Sequence, residues 1–130
     1  MALLFFIFLL GEVVIDLVLK DLVSLDGFFS LKSLSRQGLV FLLKHSSTSP
    51  LSAGALRVFS DFSGRHGSVP CFVLGVREAR NVSSRVEEDT GVGHEVPQVL
   101  LFRDGVVVWS VSGAGVSLVA LENALRKHSD

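Results

Sequence analysis

The chain has 130 residues, enough for one domain around one core. Hydrophobic residues make up 48 % and charged residues 19 %, which excludes a disordered composition; a net charge of −1 with no basic stripe argues against a nucleic-acid surface. A single cysteine, Cys71, excludes an internal disulfide and a disulfide-stapled secreted fold, so a reducing cytoplasm is the expected compartment.

Residues 1–20 stand apart. "ALLFFIFLL" is an unbroken apolar run, but Gly11, Glu12 and Asp16 interrupt the apolar residues after it, and the first basic residue is Lys20. A spanning helix needs about 20 mostly apolar residues, and a secretory signal needs a basic start and a small-residue cleavage site. Neither pattern is met. Residues 1–20 therefore read as an apolar N-terminal extension on a domain over 21–130. Three readings of the extension stay open: a start set too far upstream, a segment packed on the domain or in a homodimer, and, least in keeping with its interruptions, a membrane anchor.

Asp26 is an N-cap candidate for a helix in which Phe28, Phe29, Leu31 and Leu34 form an apolar stripe, with Gly38 as its stop. "LVFLLK" (39–44) is a short apolar run of the kind found in buried strands. Ser49 as N-cap and Pro50 at the first helical position open a second helix, with Leu51, Ala55, Val58, Phe59 and Phe62 at helical spacing and Gly64 and Gly67 at its end. "VPCFVLGV" (69–76) is a second buried strand. Asn81 caps a short polar helix closed by Gly91. "VPQVLLFR" (96–103), the Asp104–Gly105 turn and "VVVWSVS" (106–112) form a hairpin. A final amphipathic helix carries Leu118, Leu121 and Leu125 on one face, with Lys127 near its negative end.

Strands separated by helices pair in parallel through right-handed crossovers. The expectation is therefore an α/β, three-layer, thioredoxin-like fold. Its mixed four-stranded sheet has three parallel strands plus a C-terminal antiparallel hairpin strand, and helices cover it. In that order the helix after the first strand carries the reactive group at its N-terminus, because free N–H groups and the helix dipole stabilise an anion there. A thiolate so placed has a lowered pKa and attacks disulfides. Here the group is the hydroxyl of Ser49.

The segment "LKHSSTSPLSAGA", then "VREAR" and "SSRVEEDTGVGHEVPQVLLFRDGVVVWSVSG", resemble in register the monothiol bacilliredoxin family of the YtxJ type, over about residues 22–127. The resemblance implies a cytoplasmic thiol-redox protein that removes bacillithiol from mixed disulfides on proteins. Bacillithiol would be a co-substrate, with no bound cofactor and no metal. It places Ser49 on the family's nucleophilic cysteine, with Pro50 after it. It places Pro97 on the proline before the third strand, expected in the cis form and facing the site, with His94 and Gln98 flanking it and His45 before the site loop. The partners implied are bacillithiolated or other proteins held in a Ser49/Pro97 groove, and neither nucleic acid nor a membrane.

Three positions depart from the family pattern: Ser49 for cysteine, Val96 for serine and Gly113 for histidine. Matching scaffold and altered functional positions point to a degenerate redox member, or to an engineered serine trap, which would explain Ser49 and not Gly113. The residues keep blander readings open. Ser49 is among the best N-caps; as a nucleophile it would need a base such as His45 or His94 and an orienting acid. Cys71 in an apolar strand reads as a buried hydrophobe. His45, His66, Cys71, His94 and His128 show no metal-ligand spacing. "SGAGVS" (112–117) reads as a turn, and Trp109 as half exposed or packed on the last helix. The second functional class is a non-catalytic thioredoxin-fold module that binds an extended peptide.

Overall fold

The computed structural model describes residues 19–129; the readings of the apolar extension fall on residues outside these, apart from Leu19 and Lys20. The elements are β1 (Leu19–Asp21), α1 (Leu25–Leu34), β2 (Val40–His45), α2 (Pro50–Arg65), β3 (Cys71–Gly75), α3 (Arg80–Thr90), β4 (Gln98–Arg103), β5 (Val106–Ser112), a 3-10 turn (Gly113–Gly115) and α4 (Leu118–His128). They form one five-stranded sheet in the order β1-β3-β2-β4-β5. The fold is the expected thioredoxin-like three-layer α/β fold.

Two details of the sheet differ from expectation. It has a fifth strand: β1 lies parallel to β3, with Leu19 opposite Cys71 and Asp21 opposite Val73. The strand count from sequence misses it because three residues carry no periodicity, and Leu19 and Lys20 read as part of the extension. The second difference is direction. β2 and β3 are parallel, but β4 runs antiparallel to β2, with Lys44 opposite Gln98 and Val40 opposite Phe102. The segment 91–97 returns the chain to the edge from which β2 leaves, so β4 enters there and runs back. The sheet therefore has two parallel pairs and two antiparallel ones.

Each face of the sheet has its own core. On one face Phe41, Leu43, Val99 and Leu101 pack on Ala55, Phe59 and Phe62 of α2 and Leu121 and Ala124 of α4. The Phe41 and Phe62 rings meet edge to face at 4.9 Å. On the other face Val40, Leu42, Leu100 and Phe102 pack on Phe28 and Leu31 of α1 and Val82 and Val86 of α3. The β4–β5 register skips Val108, a bulge that turns Val107 to the α1/α3 side and Trp109 to the α2/α4 side.

Local signals decide most helix ends. Ser49 and Ser117 cap α2 and α4 through their hydroxyls, and Gly91 ends α3 in the left-handed conformation at φ 72°. Three ends differ from expectation. Ser24, not Asp26, caps α1. α2 runs through Gly64 to Arg65, with His66 at its C-cap. α3 begins at Arg80 with Ala79 at the cap position, not at Asn81. Gly38 lies beyond the end of α1, where the Ser35 hydroxyl donates to Lys32 O and accepts the Gly105 N–H of the hairpin turn. Asp104 and Gly105 both have positive φ, as that turn requires.

Candidate functional site

The parallel strands β2 and β3 end at one edge of the sheet, so the N-termini of α2 and α3 lie there on opposite faces. Antiparallel β4 begins at that edge, and β5 ends there with Ser112 opposite Gln98. The loops 46–49, 76–79, 91–97 and 113–117 therefore meet at one end of the molecule. Arg77 Nη1 donates to Thr48 Oγ1 at 3.5 Å, tying two of them together.

Ser49 holds an extended backbone before α2, and its Oγ accepts the Ser52 N–H at 3.2 Å. Pro50 takes the first helical position, where a missing N–H costs nothing. Ser52, fully buried, accepts the Ser46 N–H and fixes the loop from inside. On the adjoining strand the Val96–Pro97 bond is cis, and Pro97 O accepts the Gly113 N–H at 2.8 Å. Gly113 sits at φ 61° with open space where a Cβ would project. Ser112 Oγ donates to Glu95 at 2.6 Å, pinning the end of β5 to the proline loop.

The two histidines singled out from the sequence are separated. His45 lines a cavity of about 220 Å³ with Asp21, Val73 and Glu78, while His94 lines another of about 310 Å³ with Arg77, Arg80 and Glu87. Among the described residues neither hydrogen-bonds Ser49, so the base a serine nucleophile needs is not in place. Burial, and then the Lys44 charge, push the His94 pKa down. His66 pairs with Glu122 at 2.9 Å and packs, tilted, against the Phe62 ring. His128 lines a cavity of about 450 Å³ at the opposite edge, between Val40 and Arg103. No three His, Cys, Asp or Glu side chains converge on a metal position among the described residues.

Cys71 is fully buried at the start of β3, and burial pushes its thiol up to about 11. A thiol held neutral and out of water neither attacks disulfides nor binds metal. Trp109 packs, partly buried, against the α2/α4 core.

Sequence reasoning missed a polar pair beneath the proline loop. Lys44 is 1 % exposed and Gln98 3 %. Lys44 Nζ donates to Gln98 Oε1 at 3.0 Å, and Gln98 Nε2 donates to Gly93 O at 3.1 Å. Burial lowers the Lys44 pKa from 10.5 to about 8, against the pull of Glu87 and Glu95. The alternation Val40, Leu42, Lys44 carried the signal, since it puts Lys44 on a core-facing side of β2. Also missed was the helical spacing of Arg80, Ser83, Ser84 and Glu87, which line the His94 cavity together.

Among the described residues no helix is long and apolar enough to cross a membrane. The family model of the monothiol bacilliredoxin BrxC matches residues 20–121. A solved structure described as a candidate oxidoreductase with a thioredoxin fold is 31 % identical, with a TM-score of 0.76 over 85 % of this chain and 96 % of that one. Thioredoxins from Nicotiana alata and Malassezia sympodialis are 22 % and 19 % identical, each with a TM-score of 0.70. They cover 87 % and 86 % of this chain and 94 % and 91 % of their own, and bear on the fold alone. With the fold, the helix N-terminus and the cis-proline loop in place, the chain belongs to the monothiol bacilliredoxin family of thiol-redox proteins.

Proposed function

We propose that this protein acts in the bacillithiol system of a reducing cytoplasm, recognising proteins that carry a low-molecular-weight thiol in a mixed disulfide. Ser49 stands at the position of the family's nucleophilic cysteine, and the thiol-removal step is lost or impaired. The observation that carries this reading is the engagement of Ser49 Oγ as the α2 cap, 3.2 Å from the Ser52 N–H. A hydroxyl so placed binds and caps but does not enter thiol–disulfide exchange, which needs a thiolate. Recognition then falls to the groove between Ser49 and Pro97, where an extended segment of the partner would lie.

The test is a paired assay of the unmodified chain and Ser49→Cys on a bacillithiolated and a glutathionylated model protein. In the variant, the introduced thiolate attacks the small thiol's sulfur. The protein–thiol S–S bond breaks, the protein leaves as thiolate, and the variant carries the small thiol until added reduced thiol displaces it. Activity in Ser49→Cys alone supports the reading. Activity in the unmodified chain overturns it.

A second reading is a non-catalytic peptide-binding module of the same fold. Complete burial of Cys71, the sole thiol of the chain, favours it. Silence of both proteins in the paired assay, together with retained binding of a model peptide, would select it.

A further inference from the structure

α3 presents Arg80, Ser83, Ser84 and Glu87 at positions i, i+3, i+4 and i+7, so all four lie along one side of the helix. That side, with Val76 and Arg77 of the preceding turn and His94 of the proline loop, lines a cavity of about 310 Å³. Its two ends differ in charge. At the N-terminal end the cap position is Ala79, whose side chain makes no capping hydrogen bond, and no acidic residue occupies the first turn. Helix N–H groups there have no intrahelical partner, and the dipole favours an anion. Arg80 forms no ion pair among the described residues, and Arg77 is held only by the 3.5 Å bond to Thr48.

A second observation points the same way. Ser83 is 6 % exposed, yet its hydroxyl has no hydrogen-bond partner among the described residues, and it lines this cavity. That hydroxyl, open to the cavity and unmatched by protein, is one a ligand oxygen would satisfy. At the far end, Glu87 already has partners: it accepts the His94 N–H at 3.3 Å and acts on the buried Lys44 charge.

We infer that this cavity is an anion subsite, built from Arg77, Arg80 and Ser83 at the α3 N-terminus, that takes a carboxylate of a small thiol ligand. The choice of a thiol ligand rests on the proposed function; the anion subsite does not. Arginine forks match planar carboxylates in two-pronged hydrogen bonds. The cavity borders both neighbouring loops: Arg77 touches Thr48, next to Ser49, and His94 lies three residues before Pro97. A ligand anchored here by a carboxylate can extend its sulfur toward position 49.

The experiment is an NMR titration of the unmodified, isotope-labelled chain with S-methylglutathione, which has two carboxylates and no free thiol. Succinate and the S-methylglutathione diester run beside it. S-methylglutathione is expected to shift the amides of Arg80, Ser83 and Ser84. The diester and the Arg77→Ala/Arg80→Ala variant are each expected to bind about tenfold more weakly or worse. Ser83→Ala should weaken binding a few-fold with an unchanged melting temperature, an outcome a merely structural role would not give. No shift at α3, or undiminished binding by the double arginine variant, overturns the subsite. Succinate binding as tightly as S-methylglutathione overturns the thiol-ligand assignment. The two readings fail separately. If Ser49→Cys is silent while S-methylglutathione still shifts α3, the redox reading falls and the subsite stands. If Ser49→Cys is active and its KM for the glutathionylated protein is untouched by the arginine changes, the subsite falls and the redox reading stands.

Discussion

Two helix N-termini meet at the working edge of the sheet, and they are finished in opposite ways. At α2 the hydroxyl of Ser49 caps the helix, Pro50 removes one N–H, and Ser52 braces the loop from inside. At α3 the cap position is an alanine, two arginines flank it, and the Ser83 hydroxyl faces the cavity unmatched by protein. The end that the fold reserves for chemistry is satisfied by its own chain, and the neighbouring end is left to bind. In a capped helix the anion-stabilising capacity of the terminus is already partly used; in an uncapped one it remains available.

The strongest way to break this contrast is to restore a nucleophile at α2. Ser49→Cys is expected to raise thiol release from a mixed-disulfide protein from background by about 100-fold or more, since a thiolate at a helix N-terminus has a lowered pKa. A variant no better than the unmodified chain would put the defect in Val96 and Gly113 as well. Next in size is the accessibility of Cys71. A thiol reagent should label it about 100-fold more slowly in native than in denaturant-unfolded protein, because a buried thiol reacts only on opening. Rapid native labelling would make Cys71, and not position 49, the thiol to study.

The third prediction concerns the polar pair under the proline loop. The Lys44 pKa is lower in the folded chain, about 8, than its ordinary 10.5. Between these values the unfolded chain holds more protons, so stability rises with pH through this window and the contribution is lost as pH falls through 8. Cys71 works in the other direction: raised from 9.0 to about 11, it costs stability as pH climbs between those values. Denaturant unfolding of the unmodified chain and Lys44→Met, both retaining Cys71, isolates the lysine. From pH 8 to 10.5 the unmodified chain should gain on the order of 2–3 kcal/mol relative to the variant. Parallel pH curves would mean that water reaches the ammonium. The smallest effect sharpens the contrast at its origin. Ser49→Ala should cost about 1 kcal/mol and lower the melting temperature by about 4 °C, as loss of a cap does. Ala79→Gly, where no side-chain cap exists to lose and glycine is the better N-cap of the two, should change stability by less than Ser49→Ala does.

Much of this architecture was legible because local chemistry specifies it. Ser49–Pro50, Gly91 and Asp104–Gly105 each fix a boundary through a cap or turn, and all three boundaries are where the sequence put them. What was hidden is tertiary. β1 is three residues long, and only its pairing with β3 makes it a strand. The direction of β4 depends on how residues 91–97 re-enter the sheet, which no periodicity encodes. At the site, the sequence singled out both His45 and His94, but the two line different cavities. Lys44 was passed over because a lysine ending an apolar run reads as a strand terminus, while its burial depends on Gln98 across the β2–β4 register.

The complete burial of Cys71 has a consequence for the molecule's chemical lifetime. Peroxide climbs the ladder from sulfenic to sulfonic acid only where it meets exposed thiolate. With its one cysteine neutral and sealed between the sheet and α2, the folded domain offers oxidants no sulfur from that residue. While the fold holds, encounters with peroxide leave that residue covalently unchanged.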